Sequence, residues 1–163
     1  MIIKFKRLTD TAKLPEKNHD TDAGMDFFAD EVVDLMAGKT LAISTGVAWE
    51  PYFEDGITEQ NFSNFFLVYM KIQGRSGLAL NNSIEVLGGT IDSDYRGEIK
   101  IILNNASRSN KTFSIRKGDK IAQGIVYLIP KYQIEETKIL TKTKRNEKGF
   151  GSSDEKKEDL KVE

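Results

Sequence analysis

Several residue types are scarce or absent in this 163-residue chain, and each absence excludes a class of function. The sequence contains no cysteine, which excludes disulfide bonds, thiolate catalysis and zinc sites built from cysteine. It contains one histidine, His19, so a multi-histidine metal site is excluded and a Ser-His-Asp triad has a single candidate base. Lysine and arginine total 24 against 25 aspartates and glutamates, a balance that argues against a protein covered in positive charge for duplex DNA.

Long apolar segments are also missing. The longest unbroken apolar run, residues 65–70, is far shorter than the roughly 20 residues that span a bilayer. The N-terminal residues MIIKFKRLTD lack the apolar stretch of about 7–15 residues found in a secretory signal. We therefore expect a soluble, cytoplasmic protein.

The chain does contain many short β patterns. Apolar and polar residues alternate around Ile3 and Phe5, and again over residues 99–104 and 113–115. Such alternation is typical of strands with one buried face. Residues 65–72 and 125–129 are instead almost continuously apolar, which predicts strands covered on both faces.

Turn residues separate these runs, and only residues 76–81 resemble a helical turn. Many short strands with frequent turns predict an all-β protein, either a sandwich, a barrel or a jelly roll, with one short helix. Two segments differ from this pattern. Residues 54–64 are polar and acidic, and almost no apolar residues follow Thr141. We therefore expect a domain over residues 1–140 with an inserted excursion at about 54–64, followed by a flexible C-terminal arm over 141–163.

Two glycine-containing stretches carry candidate functional residues in the first half of the chain. Residues 23–26 read Ala-Gly-Met-Asp, and Asp26 is either a functional carboxylate or an ordinary turn acid. Residues 74–78 read Gly-Arg-Ser-Gly-Leu, immediately before the predicted helical turn. Free backbone N–H groups at a helix start attract anions, although Ser76 is also a candidate helix N-cap.

Two further stretches combine charge, hydroxyls and glycine. Residues 89–98 contain two carboxylates and a tyrosine between predicted strands, where Asp92 is a candidate general base and a solvated hairpin is the alternative. In residues 145–153, Phe150 stands between two glycines in a segment with no core of its own. A ligand base stacking on Phe150 would help to order this segment, and an ordinary flexible tail is the alternative.

These stretches together resemble the motifs of the homotrimeric dUTPase family. The resemblance covers residues 1–153 and includes all five family motifs in order, at residues 23–27, 74–78, 89–97, 118–123 and 145–153. It implies a jelly-roll fold and a trimer with sites shared between subunits. It also implies Mg²⁺-assisted hydrolysis of dUTP to dUMP and pyrophosphate, which keeps uracil out of DNA.

The resemblance assigns roles to individual residues. Asp92 would position and deprotonate the water that attacks the α-phosphorus, and Tyr95 would lie against the sugar face where a ribose 2′-hydroxyl would clash. The uracil edge would be read by Thr90, Ile91 and the returning strand near Lys100. Asp26 would contact Mg²⁺ through water.

The triphosphate and the closing arm complete the implied site. The phosphates would be held by Arg75, Ser76, Gly77 and Gln123. The C-terminal arm would close over a neighbouring subunit's site with Arg145, Phe150, Gly151, Ser152 and Ser153, and Phe150 would stack on the base. The sequence departs from the family pattern at Lys120, where arginine is common, at Asn146, where glycine is usual, and at Asp154.

The position of residues 54–64 is similar to an extra segment of staphylococcal phage dUTPases, some of which bind a pathogenicity-island repressor. This likeness implies a possible second role as a repressor-binding protein, and the alternative is a plain surface loop. An alternative function for the whole chain is a nucleotide-switched regulatory module with little catalysis. The related dCTP deaminases share the fold but lack the glycine-rich arm, so the sequence argues against that family.

Overall fold

The computed structural model describes residues 1–53 and 65–147. The chain divides into two compact units, Met1–Lys131 and Tyr132–Glu163. The first unit holds these elements in chain order: β1 Ile2–Arg7, β2 Met25–Phe28, β3 Val33–Leu35, β4 Thr40–Ser44, β5 Val47–Tyr52, β6 Phe66–Gln73, α1 Ser76–Asn82, β7 Ile84–Leu87, β8 Thr90–Asp92, β9 Lys100–Asn105, β10 Phe113–Ile115 and β11 Lys120–Pro130.

The strands form four antiparallel sheets. β1 pairs with β5 and β3 with β10, a three-stranded sheet has the order β4-β9-β7, and a four-stranded sheet has the order β2-β11-β6-β8. Side chains from all four sheets enter one core, whose largest fully buried members include Trp49, Phe27, Leu35, Ile101 and Leu103. Most of these strand pairs join segments distant in sequence, so the core is closed by non-local contacts.

The alternating segments form half-buried strands, as predicted. In β9, Ile101 and Leu103 are buried whereas Lys100 and Ile102 are exposed. β1 shows the same period, because Ile3 and Phe5 pack against the core and Lys4 faces solvent. Successive side chains of a strand point to opposite faces, so one apolar stripe suffices to attach each strand to the core.

The prediction that the continuously apolar runs are covered on both faces is wrong within this chain. In β6, Val68, Met70 and Ile72 are buried, but Leu67 on the opposite face is 41% exposed. β11 likewise leaves Leu128 exposed. The described part of the chain supplies a layer for only one face of these strands, so their other face remains a partly apolar surface.

The predicted helical turn is the helix α1, Ser76–Asn82. Its N-cap is Arg75, in extended conformation with φ −88° and ψ 129°, and no side chain caps the first turn. The alternative in which Ser76 is the N-cap is therefore off by one residue, because Ser76 already belongs to the helix. The C-cap residue Ser83 is left-handed with φ 56°, and its N–H donates to the carbonyls of Ala79 and Leu78.

The second unit has no helix or strand over its described residues, 132–147. Asn146 has a positive φ of 47°, and its N–H and side-chain oxygen bond Thr143 reciprocally at 3.0 and 3.1 Å. Asparagine adopts this left-handed conformation more readily than most residues. Over residues 1–53 and 65–147, no helix is long and apolar enough to cross a membrane.

Candidate active site

A cavity of about 360 Å³ lies between the end of β8 and the start of β9. Five of the predicted site residues meet there: Thr90, Ile91, Asp92, Tyr95 and Lys100. Ala42, Glu98 and Ile102 complete the lining. The cavity forms because the chain leaves the four-stranded sheet at Asp92 and enters the three-stranded sheet at Lys100, so the two sheets diverge around the connecting loop.

β8 is an edge strand. It pairs with β6 through Tyr69 opposite Asp92, Met70 opposite Ile91 and Lys71 opposite Thr90, and its other edge has no strand partner among the described elements. An edge strand presents a row of backbone N–H and C=O groups. The cavity is therefore bordered by backbone donors and acceptors in alternation, beside an exposed carboxylate at Asp92.

The loop after β8 holds Tyr95 against its own backbone. The Tyr95 N–H donates to the Asp92 carbonyl at 3.2 Å, and the Tyr95 hydroxyl donates to the Glu98 carbonyl at 3.0 Å. The ring lies directly over Gly97, where a Cβ atom would overlap both the hydroxyl and the ring carbon that carries it. Glycine at position 97 is therefore a steric requirement for the observed Tyr95 position.

Sequence reasoning gave no role to Glu98, which is mostly buried beside this cavity. Burial alone would raise its pKa, but the pKa is lowered because Ser44 Oγ, the Gly46 N–H and Lys100 bond the carboxylate. Ser44 is the last residue of β4 and Gly46 lies in the turn between β4 and β5, both far from Glu98 in sequence. The one available sequence signal is the period-two spacing that puts Glu98 on the same side as Lys100.

A second group of predicted residues surrounds Asp26 on β2. The Asp26 carboxylate lies 3.2 Å from Arg75 Nε and 2.9 Å from Lys120 Nζ, and it accepts a hydrogen bond from Asn18 Nδ2 at 3.1 Å. Burial raises the pKa of Asp26, but the bond from Lys120 and the charge of Arg75 outweigh it, so the pKa is lowered. Asp26 is therefore a charged anchor for two cations, Arg75 and Lys120.

Gln123 joins this second group through the sheet register. It lies opposite Asp26 on β2 and opposite Gln73 on β6. A polar cavity of about 260 Å³ is lined by Gln123, Asp26, Asp22 and Gly24, among others. Gly24 leaves no room for a side chain, because a Cβ there would lie 2.9 Å from the Gln123 amide oxygen.

The two groups lie apart within one chain. Asp92 is opposite Tyr69 on β6, whereas Gln123 of the second group is opposite Gln73, four residues further along that strand. At about 3.3 Å per residue, this separates the two register positions by about 13 Å. Ser76 and Gly77 are exposed at the start of α1 beyond Gln73, and a Cβ at Gly77 would meet no atom of the described chain within 4 Å.

The remaining predicted residues belong to the arm. Arg145 is in the second unit, whose described residues end at Glu147. Phe150, Gly151, Ser152 and Ser153 lie outside the described residues, as does the predicted excursion at 54–64. Their assignment to base stacking, to phosphate binding or to a protein partner stays a prediction.

The chain is similar in sequence to the proteins of one known family. The dUTPase family model matches residues 67–154. A deoxyuridine 5′-triphosphate nucleotidohydrolase of Clostridium tetani is 43% identical over 153 residues, covering 93% of this chain and 95% of that protein. The corresponding protein of Clostridium acetobutylicum is 41% identical over 157 residues, covering 95% and 98%.

Solved structures give the same result for the fold. A structure described as Staphylococcus bacteriophage 80alpha dUTPase with dUPNHPP aligns with a TM-score of 0.75 and 27% identity, covering 93% of this chain and 98% of that chain. The fold and these matches thus define an all-β, jelly-roll enzyme, which confirms the predicted fold class. The chain belongs to the dUTPase family, and the family prediction is confirmed.

Proposed function

We propose that this chain hydrolyses dUTP to dUMP and pyrophosphate, with the base and sugar in the Asp92 cavity. The observation that carries the proposal is the meeting of Asp92, Tyr95 and the free edge of β8 in one cavity. A pyrimidine ring presents alternating acceptors and a donor along one edge, and the backbone of an edge strand is complementary to such an edge. The membership of the dUTPase family supports the same substrate.

Asp92 acts as the general base. Its side chain is exposed at the end of a short strand, so it can reach a water molecule at the α-phosphorus, and a positioned base contributes about 10²–10⁴-fold to such a reaction. The Tyr95 ring, held by the Glu98 carbonyl and seated on Gly97, lies against the sugar and leaves no room for a 2′-hydroxyl. The cavity then selects deoxyribose by shape.

The triphosphate is bound by the Asp26 group, with Arg75 as the principal cation and Ser76, Gly77 and Gln123 as further donors. Asp26 forms an ion pair with the Arg75 guanidinium, and the Lys120 carbonyl accepts a hydrogen bond from Arg75 Nη1 at 3.2 Å. A guanidinium fixed on one side presents its remaining N–H groups in a defined direction, which suits phosphate oxygens.

Mg²⁺ fits this donor set as an ion held chiefly by the substrate. Within the described ranges, no three His, Cys, Asp or Glu side chains form a metal cluster, and Mg²⁺ commonly keeps several waters and takes its other ligands from phosphates. Asp26 retains free lone pairs and lines a polar cavity with Asp22, so it would contact the hydrated ion through water. The ion, when bound, would neutralise charge on the triphosphate.

The complete site is assembled between copies of the chain, as a trimer. Two observations support this arrangement: the register positions of Asp92 and Gln123 differ by about 13 Å along β6, and the outer faces of β6 and β11 expose apolar side chains. The arm over 141–163, with Arg145, Phe150, Gly151, Ser152 and Ser153, would then close over a neighbour's site. Mixing inactive Asp92→Asn and Arg75→Ala chains should recover part of the activity, because some sites then combine one intact half from each chain.

The test of the activity is pyrophosphate release from dUTP, dTTP, dCTP and UTP in the presence of Mg²⁺. We expect hydrolysis confined to dUTP, a loss of about 10²–10⁴-fold in kcat for Asp92→Asn, and little change for Asp94→Asn on the same loop. Binding of dUTP without turnover would refute the catalytic role and favour a nucleotide-switched module. Ammonia release from dCTP would point to a deaminase.

A second role, binding of a repressor protein through residues 54–64, draws support from the phage relative. The description of that phage structure states that phage dUTPases control transfer of virulence genes by a G protein-like mechanism, which concerns those proteins. Deleting residues 55–63 should abolish binding of such a partner and spare dUTP hydrolysis. Loss of both activities, or of neither, would contradict the role.

A further inference from the structure

Glu98 is a carboxylate in the Asp92 cavity that takes no part in the proposed chemistry. Its side chain is 23% exposed, and it lines the cavity together with Asp92 and Tyr95. Oε1 accepts hydrogen bonds from Ser44 Oγ and, at 2.9 Å, from the Gly46 N–H. A carboxylate with several fixed donors is itself fixed, because charge-assisted bonds are stronger than neutral ones.

The turn between β4 and β5 also holds the backbone next to Glu98. Thr45 Oγ1 donates to the Ile99 carbonyl at 2.5 Å, and the Ile99 N–H donates to the Val47 carbonyl at 2.8 Å. Residues 44–47 thus hold both the Glu98 side chain and the backbone of Ile99. Its carbonyl, held between these contacts, is the acceptor for the Tyr95 hydroxyl.

Gly46 makes this anchor rigid. It has a left-handed φ of 65°, and a Cβ there would lie 2.7 Å from Asp30 Oδ2 and 2.8 Å from the Ala12 Cβ. Asp30 is buried and accepts hydrogen bonds from Thr9 Oγ1 at 2.5 Å and Thr11 Oγ1 at 2.6 Å. The turn that bonds Glu98 therefore packs against the Asp30 cluster, and the Gly46 N–H has little freedom to move.

We propose that Glu98 is a positioning residue for sugar selection. By fixing the backbone at positions 98 and 99, its side chain sets the carbonyl that holds the Tyr95 hydroxyl, and thereby sets the ring that meets the sugar. This inference rests on the proposed function, in which Tyr95 excludes a 2′-hydroxyl. Lys100, the first residue of β9, also forms an ion pair with the Glu98 carboxylate, with its Nζ 3.6 Å from Oε2.

The test compares kcat and KM for dUTP and UTP in Glu98→Ala, Glu98→Gln and a matched control, Glu31→Ala. Glu31 accepts a hydrogen bond from the Ser44 N–H at 2.5 Å, so Glu31→Ala removes a carboxylate bonded to the same residue, whereas the Ser44 Oγ and Gly46 N–H bonds to Glu98 are kept and Glu31 does not line the cavity. For Glu98→Ala we expect the ratio of kcat/KM for dUTP over UTP to fall about tenfold, since a misplacement of about 1 Å can cost up to about 10²-fold.

Glu98→Gln should recover most of the ratio, because its amide oxygen still accepts from Ser44 and Gly46, and Glu31→Ala should leave the ratio unchanged. If Glu98→Ala does not fold, Ser44→Ala removes one donor from the same carboxylate and should lower the ratio in the same direction. An unchanged ratio in folded Glu98 or Ser44 variants overturns the inference, as does an equal fall in Glu31→Ala. A wild-type chain that hydrolyses neither nucleotide instead refutes the proposed function itself.

Discussion

Replacing Asp26 by asparagine tests whether the buried ion-pair cluster stabilises the fold. The Asp26 side chain is 6% exposed and contacts both Arg75 and Lys120, whose side chains are 32% and 28% exposed. Asparagine keeps the volume of the side chain and removes its charge. The two cations then lose their shared counter-ion.

The expected cost follows from the burial of the three groups. Removing one partner of a fully buried pair costs about 3–5 kcal/mol, whereas an exposed pair contributes about 0–1 kcal/mol. Because the two cations are partly exposed and regain some hydration, we expect the free energy of unfolding to fall by about 2 kcal/mol at neutral pH.

Urea unfolding at fixed protein concentration measures this cost, with the fluorescence of Trp49 as the probe. Trp49 is the single tryptophan and is buried in the core. Asp10 is an exposed carboxylate outside this cluster, so Asp10→Asn is the matched control and should change stability by no more than about 0.5 kcal/mol.

The pH dependence gives an independent check with a defined sign. Since the pKa of Asp26 is lowered in the folded chain, its contribution is complete above the unfolded value of about 3.9 and is lost as the pH falls below that value through the folded pKa. The difference between wild type and Asp26→Asn should therefore shrink in acid. A difference under about 0.5 kcal/mol at neutral pH would refute the reasoning, and so would a difference that acid leaves unchanged.

Two glycine substitutions test the close contacts around the cavity. Gly97→Ala places a methyl group where the Tyr95 ring lies, so we expect kcat/KM for dUTP to fall by about 10-fold or more. The free energy of unfolding should change little. Full activity would show that the ring position is not required. At Gly46, which has a positive φ, a new methyl group would meet Asp30 and Ala12, so Gly46→Ala should lower the free energy of unfolding in urea by about 2 kcal/mol. Gly38 also has a positive φ but open space around it, so Gly38→Ala should cost about 1 kcal/mol. Equal costs would exclude crowding as the cause of the difference.

Some features of this protein were determined by the sequence itself. The period of two in residues 99–104 follows from alternating side-chain directions, so β9 and its buried residues could be predicted locally. The same holds for Asp92 and Tyr95, which reach one cavity because they flank a single turn. The motifs at residues 23–27, 74–78, 89–97 and 118–123 are local for the same reason, since each lies at a strand end, a turn or a helix start.

Other features were decided only by the tertiary structure. Glu98 is held by Ser44, 54 residues away in the chain, and Asp26 is held by Lys120 on a strand that joins β2 only in the folded sheet. The exposed outer face of β6 was predicted wrongly, because a run of apolar residues does not reveal how many layers the fold will supply. Local patterns report which way a side chain points along its own strand, whereas its partners depend on chain segments brought together by the closing of the core.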